Sequence, residues 1–254
     1  MEKQRHPYAL SLKPDKVGPF ENSHENLQCG ISVSKGISKR LKHLADLVAF
    51  DTAADIGCDH GLLTAYLLKE GIIARAVASD LKPGPLRAAA ATFRIWGVCA
   101  DLRLGNGLEP LSPGEVRTCI IAGMGGMTII DILKNRPETA MSFEQLILSP
   151  ERDSGALRRY LHVLGFYICK ESLIEEKRRF YLAIDARPGH EPPYDPAGYM
   201  FGQYLIRTKD PVLRRFLERE RRKTEELMAA FSDKPCPDHI LSAHSTIIAA
   251  QNMY

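Results

Sequence analysis

Residues 53–61 read Ala53-Ala54-Asp55-Ile56-Gly57-Cys58-Asp59-His60-Gly61. An apolar stretch interrupted by one acid, then glycines at 57 and 61, describes the end of a buried strand, a tight turn and a helix opening at Leu62. Such a turn brings backbone N–H groups and a helix N-terminus to the carboxyl edge of a parallel sheet, where α/β proteins bind ligands. A second acid, Asp80, ends the next apolar run about 25 residues downstream, a separation that suits the ribose-binding acid of a nucleotide site. The dinucleotide fingerprint G-x-G-x-x-G is absent from this stretch, which disfavours a dehydrogenase.

Outward from this turn, strand and helix patterns alternate at short intervals. The expected strands are about 52–56, 73–79, 100–104, 118–122 and 145–148. The expected helices are 62–69 closed by Gly71, Pro83 to Trp96, 127–134, and one starting near Ser154 with Leu157, Tyr160, Leu161 and Leu164 buried and Gly165 as its cap. The last three of these strands run into Gly105-Asn106-Gly107-Leu108, Gly123-Met124-Gly125-Gly126 and Ser149-Pro150-Glu151. Two further strands, 166–174 and 179–186, are joined by Glu175–Arg178, a connection short enough to imply an antiparallel hairpin. A βαβ series closing in such a hairpin predicts an α/β, doubly wound, Rossmann-like sheet.

The flanks read differently. Residues 1–34 carry proline, glycine and polar residues without periodicity and are expected to form a disordered or loosely attached extension. Ser38 is the expected N-cap of a helix with Ile37, Leu41, Leu44, Ala45 and Val48 on one stripe and Lys39, Arg40 and Lys42 outside. Beyond residue 190 the pattern predicts a helical hairpin, 197–208 and 211–231, divided by the capping pair Asp210-Pro211. Phe216, Leu217, Leu227, Met228 and Phe231 are its expected buried face. Arg214, Arg215, Arg219, Arg221, Arg222 and Lys223 crowd the other, either paired with Glu218, Glu225 and Glu226 or free for phosphates. A short helix near Ile240–Ala250 is expected in the tail.

Composition narrows the class. The 254 residues are 44% hydrophobic and 26% charged, ordinary for a soluble globular chain long enough for one domain and an appendage. No apolar run reaches the roughly 20 residues needed to span a bilayer, and no signal pattern opens the chain. Six scattered cysteines without a C-x-x-C pair argue against a disulfide framework or a metal site, and most are expected to be small core residues in a reducing cytoplasm. The net charge of +3 does not by itself indicate nucleic acid, and nothing sets an oligomeric state.

The D-x-G-x-x-x-G arrangement at 55–61 resembles the first motif of class I S-adenosylmethionine (SAM) methyltransferases. With Ser38-Lys39-Arg40-Leu41, Gly105-Asn106-Gly107-Leu108, Ile121-Ala122-Gly123-Met124-Gly125-Gly126, Leu146-Ile147-Leu148-Ser149-Pro150 and the stretch from Phe201 to Leu227, the chain resembles the bacterial tRNA (adenine(22)-N1)-methyltransferase family, over roughly residues 36–230. The resemblance implies a seven-stranded methyltransferase sheet over 35–190 with the C-terminal antiparallel hairpin, then a helical hairpin and tail over 191–254. It implies SAM as cofactor, S-adenosylhomocysteine (SAH) as product and tRNA as partner, with no metal and no membrane. Gly57 would let the backbone approach the methionine part of SAM, Asp55 would lie near its amino group or structure the turn, and Asp80 would accept both ribose hydroxyls. Asn106 and Leu108 would flank the adenine, with Cys58, Leu81, Gly107, Ala122 and Gly123 completing the cofactor contacts. Asp59 and His60 are the candidates for chemistry, and Met124, Gly125, Gly126 and Pro150 for the slot that takes an extruded base. Lys39, Arg40, Arg214, Arg215, Arg219 and Arg222 are the candidate RNA contacts. Asn106 stands where the family usually has Asp, and Ser149-Pro150-Glu151 where it often has Gln-Pro-Asn. Two other readings share these residues: a SAM-dependent enzyme with a protein or small-molecule acceptor, and a non-catalytic RNA-binding module on a methyltransferase fold.

Overall fold

The computed structural model describes residues 37–231 and 235–254, so the expectation for 1–34 lies outside the described residues. The chain forms β1 (Thr52–Ile56), β2 (Arg75–Asp80), β3 (Asp101–Leu104), β4 (Thr118–Met124), β5 (Gln145–Pro150), β6 (Phe166–Glu176) and β7 (Arg179–Pro188). These strands make one sheet of order β3-β2-β1-β4-β5-β7-β6. The β1–β2, β1–β4 and β2–β3 pairs are parallel, and β7 runs antiparallel to β5 and β6. The four strands β1, β2, β4 and β5 are buried along most of their length, which is why Ala53–Ile56, Ala76–Ala78, Cys119–Ile121 and Leu146–Leu148 read as near-continuous apolar runs.

The chain divides into two compact units. The first holds the described residues up to Ile121 together with Ile132–Glu144, and the second holds Ala122–Asp131 and Gln145–Tyr254. In the first unit α1 (Lys39–Ala45) starts at Ser38, whose side chain accepts the Leu41 N–H at 3.3 Å, and it stops short of Val48. Then come α2 (Leu62–Lys69) and α3 (Pro83–Trp96), the latter with proline in its first turn and Gly97 as its left-handed cap. Cys58, Ala65, Ala78, Leu86, Ala89 and Phe93 pack as one cluster beneath the β1–α2 turn. At roughly 1.5–3 kcal/mol per buried large side chain, such clusters supply the stability that holds the turn in place.

In the second unit α4 (Gly126–Asn135) begins; its last residues, and the unanticipated α5 (Pro137–Met141), belong to the first. The strands β4 and β5 each run two residues further than expected. Tertiary hydrogen bonds keep them extended: Glu151 N–H donates to Met124 O and Gly126 N–H to Arg152 O, both at 2.9 Å. After β5, α6 (Ser154–Leu164) buries Leu157, Arg158 and Leu161, while Tyr160 and Leu164 stay half-buried. The hairpin connection is a two-residue turn, Lys177-Arg178, with both φ values positive (50° and 63°), the geometry that matches strand twist.

The predicted helix 197–208 is broken. A π turn over Gly198–Gly202 precedes α7 (Gln203–Arg207), because Gly202 takes φ 99°, outside the helical region. Asp210 caps α8 (Pro211–Ala229) through the N–H groups of Val212 and Leu213, and α9 (Asp238–Asn252) is longer than the short helix expected. Leu173, Phe201, Leu205, Leu213, Leu217 and Ile247 form the core here, with Phe216 against its margin. Leu227, by contrast, is 51% exposed, and Met228 and Phe231 are only partly buried, so the expected apolar face is fully covered only near Leu213 and Leu217. Among the described cysteines, Cys58 and Cys119 are buried, Cys169 and Cys236 partly so, and Cys99 is exposed, so fewer than expected serve as core.

The π turn rests on a buried ion pair. Arg158 Nε donates to Glu171 Oε1 at 2.7 Å, and its Nη1 reaches the carbonyls of Tyr199 (2.8 Å) and Met200 (3.2 Å). A Cβ at Gly202 would run into the Glu171 carboxylate, which its partner leaves no room to move. Gly202→Ala should therefore cost at least about 3 kcal/mol, the scale of breaking a buried pair, read as a lower urea midpoint at unchanged slope.

Candidate active site

Three strand ends meet in the first unit. Leaving β1, the N–H groups of Gly57 and Cys58 both donate to Ser79 O of β2, at 2.8 and 3.0 Å. Gly57 has φ 73° and leaves its backbone uncovered by a side chain. Gly61 (φ 64°) is required for packing as well, since a Cβ there would lie 2.8 Å from Phe93 Cε1 and 2.9 Å from Ala89 Cβ. Cys58 points its side chain inward, where burial and the charges of Asp55 and Asp80 push the thiol pKa up. It offers the site its backbone only.

The acids differ in environment. Asp55 is buried, and its Oδ2 accepts a hydrogen bond from Thr64 Oγ1 at 2.7 Å. Burial, with a smaller contribution from the Asp80 charge, pushes its pKa up to about 6. Asp80 ends β2 and accepts the N–H groups of Lys82 (3.0 Å) and Asp59 (3.4 Å). Asp59 sits at φ 50°, with a carboxylate 74% exposed and 3.7 Å from His60 Nε2. Its backbone is thereby tied to Asp80 while its side chain stays in solvent. Leu81, next to Asp80, is 62% exposed and so leaves an apolar surface beside that carboxylate.

The β3 end joins this edge through Gly105 N–H, which donates to Asp80 O at 3.0 Å. The backbone N–H of Asn106 donates to Glu109 Oε2 at 3.3 Å, and Gly107 (φ 54°) has no room for a Cβ beside Ile132. Leu108 is buried and forms the floor of the loop. One scaffold residue escaped the sequence reading. Arg103 donates to Asp101, to the Pro110 carbonyl and to both oxygens of Glu115, sewing down residues 105–115. Glu115 lies twelve positions away, so no local pattern announces the pair.

The second unit holds the remaining candidates. Ala122, Gly123 and Met124 finish β4, and Gly125 and Gly126 turn into α4. A Cβ on Gly126 would stand 2.6 Å from Asp153 O and 2.8 Å from Arg152 O, so the loop is clamped backbone to backbone against residues 151–153. Pro150, the last residue of β5, is buried. Of the candidate RNA contacts in this unit, Arg214 lies 3.6 Å from Glu218, Arg215 3.3 Å from Glu175 and Arg219 2.8 Å from Glu220, while Arg222 Nε donates to Glu218 O at 3.4 Å. Arg219 also lies 4.4 Å from the centre of the Phe180 ring. Lys39 and Arg40 occupy the first turn of α1 in the other unit. Among the described residues no group of three or more His, Cys, Asp or Glu could hold a metal ion, and no helix is long and apolar enough to cross a membrane.

A sheet of this order, with β7 antiparallel to its neighbours, a glycine turn after β1 and an acid closing β2, defines the class I methyltransferase fold. Residues 37–184 match the family model for a methyltransferase domain, and the chain belongs to that family. Over 204 residues it is 29% identical to the tRNA (adenine(22)-N(1))-methyltransferase of Bacillus subtilis (strain 168), spanning 77% of this chain and 86% of that relative. Among solved structures, Streptococcus pneumoniae Sp1610 in complex with S-adenosyl-L-methionine is 28% identical with a TM-score of 0.76, over 85% of this chain and 99% of that one. M. capricolum TrmK in complex with SAH is 25% identical with a TM-score of 0.74, over 86% and 97%.

The buried Asp55 has a consequence for stability. Its folded pKa of about 6 exceeds the ordinary 3.8, so its protonated form favours folding. That contribution is complete below pH 3.8 and is lost as pH rises through 6, leaving a cost of up to about 3 kcal/mol above it. Asp55→Asn should raise the Tm of the ligand-free protein by several degrees at pH 8, and the gain should vanish towards pH 4. Thermal melts of the two proteins across this range check it.

Proposed function

We propose that this chain transfers the methyl group of SAM to N1 of adenosine 22 in tRNA, releasing SAH. One observation carries the reading: the acids and glycine turn of the methyltransferase motif sit on three joined strand ends, in a chain alignable along most of its length to an enzyme named for that reaction. Binding of the cofactor fits the donor set. Asp55 is a buried carboxylate with a raised pKa, a cost that an ammonium group beside it would offset. Asp80 holds carboxylate oxygens at the sheet edge for two ribose hydroxyls, Asn106 a side-chain amide for the adenine, and Leu81 an exposed apolar surface for its ring face. Gly57, Cys58, Gly107, Ala122 and Gly123 contribute backbone, with Leu108 beneath.

When bound, SAM supplies an electrophilic methyl group. Adenine N1 already has a lone pair, so the protein has no strong base to provide before attack. Its work is to exclude water, align N1 and stabilise the positive charge that develops on the base. Asp59 serves the last two of these by accepting a hydrogen bond from the N6 amino group, and it takes an N6 proton afterwards. His60, 3.7 Å away, orients that carboxylate. Met124, Gly125, Gly126 and Pro150 line the slot for the flat base, which must be extruded from the folded tRNA. Lys39, Arg40 and the α8 arginines face RNA phosphates, with Arg214 and Arg222 the most available. Residues 35–190 form the methyltransferase domain, 191–254 its RNA-facing appendage, and the enzyme works in the cytoplasm.

The test is transfer from methyl-labelled SAM to unmodified bacterial tRNA, with the product digested to nucleosides. Label should appear in N1-methyladenosine, and Asp59→Ala should lower kcat by about 10²-fold or more at unchanged SAM affinity, the scale of one lost electrostatic contact. Tight SAM binding with no label in any tRNA would overturn the reading.

A further inference from the structure

The arginines of α8 are the obvious cations, yet most are spent on neighbours. Arg215 and Arg219 lie within 3.3 Å of Glu175 and Glu220, and Arg221 lies 3.8 Å from Glu225. A different pair in the same unit is placed otherwise. Arg152, in the loop after β5, has a side chain 78% exposed, and among the described residues its ion-pair neighbour is the adjacent, half-exposed Asp153 at 3.6 Å. Its Nε lies 3.0 Å from where a Gly125 Cβ would stand, so the side chain lies against the glycine loop. Its carbonyl accepts the Gly126 N–H at 2.9 Å, which joins Arg152 to that loop by backbone as well.

Seven residues on, Arg159 is exposed on α6, and its contacts are to a carbonyl and an aromatic ring. Its Nη1 donates to Gly155 O at 3.4 Å, and its guanidinium lies over the Tyr199 ring, 4.4 Å from the centroid. Tyr199 is itself held at both ends. Its hydroxyl is 3.0 Å from His162 Nδ1, whose Nε2 is 3.0 Å from Glu191, and its carbonyl accepts from the buried Arg158. The ring under Arg159 is thus anchored through its hydroxyl and its backbone, and a guanidinium stacked on an anchored aromatic face loses less further entropy when it binds an anion.

We propose that Arg152 and Arg159 form a phosphate track that leads the RNA strand flanking the target adenosine onto the Gly123–Gly126 loop, with Tyr199 as the positioning residue that presents Arg159. This rests on the RNA-methyltransferase reading and adds to it where the strand runs. A guanidinium against the glycine loop and a second one seven residues on, stacked on an aromatic ring, suit the backbone of an extruded nucleotide, since phosphates accompany every base and demand no sequence. The carboxylates of α8 leave that helix a weaker competitor for the same role.

The test uses the full-length chain and unmodified tRNA. Arg152→Ala and Arg159→Ala should each raise the KM for tRNA about tenfold, with the KM for SAM and the Tm unchanged. Each should also lower the slope of log affinity against log salt by roughly 0.7–0.9, one phosphate contact per arginine. Arg152→Lys and Arg159→Lys keep the charge and should restore the slope. Tyr199→Leu should raise the tRNA KM with the KM for SAM unchanged and, assayed well below its Tm, add little to the tRNA KM on top of Arg159→Ala, because both act through the same guanidinium. If the wild-type protein methylates tRNA and both alanine variants keep its KM and salt slope, the track is wrong and the activity stands. If the wild-type protein labels no tRNA, the activity itself falls, and the track with it.

Discussion

The shared carbonyl of Ser79 is the contact on which the candidate site depends. Two consecutive N–H groups, of Gly57 and Cys58, converge on it from the neighbouring strand. This forces the chain to leave β1 across the end of β2, in a conformation that places a positive φ at Gly57. From that bend follow the inward Cys58, the exposed Asp59 with its N–H on Asp80, and the close entry of α2 against Phe93 at Gly61. Gly105, bonded to the Asp80 carbonyl, brings the third strand end to the same edge. The polar atoms at this edge are thus mostly backbone and carboxylate, tied together by hydrogen bonds.

Asp55 shows the trade this arrangement makes. A carboxylate that is buried with Thr64 as its close donor works against the ligand-free fold at neutral pH. In a protein that binds a cationic ligand, the same charge becomes an asset once the ligand is present. The Arg103 network has the opposite character. It lies at the margin of the sheet, pairs fully with Asp101 and Glu115, and holds Glu115 below the usual carboxylate range, so it stiffens the 105–115 loop without a hidden cost of that kind.

In the second unit, the Arg158–Glu171 pair has a comparable organising role. Burial pushes the Glu171 carboxyl up, and Arg158 pulls against it. An apolar pair is often as stable, but an arginine at once holds a carboxylate on β6 and two carbonyls of the π turn. It fixes Tyr199, and through Tyr199 the geometry around His162 and Arg159. Arg158 reads in the sequence as one more charge on an amphipathic helix, and its partner is thirteen residues away on a strand.

What the sequence determined by itself follows from short-range chemistry. Apolar runs bounded by glycine, the proline that opens α3, Ser38 and Asp210 as caps, and Gly165 as a stop are each set by local backbone and solvation preferences, and these placed nearly every element to within two residues. The motif at Asp55–Gly61 marked the end of β1 and the turn into α2, and Asp80 the end of β2, for the same reason. Tertiary structure decided what depends on distant partners. The extra residues of β4 and β5 exist because of hydrogen bonds from Gly126 and Glu151, and the break at Gly202 because the Glu171 carboxylate occupies its side-chain space. Leu227 is exposed because the core of α8 ends at Leu217, and its arginines are paired or free according to which carboxylates the fold brings near. Burial and long-range pairing are properties of three-dimensional neighbours, which no window of sequence contains.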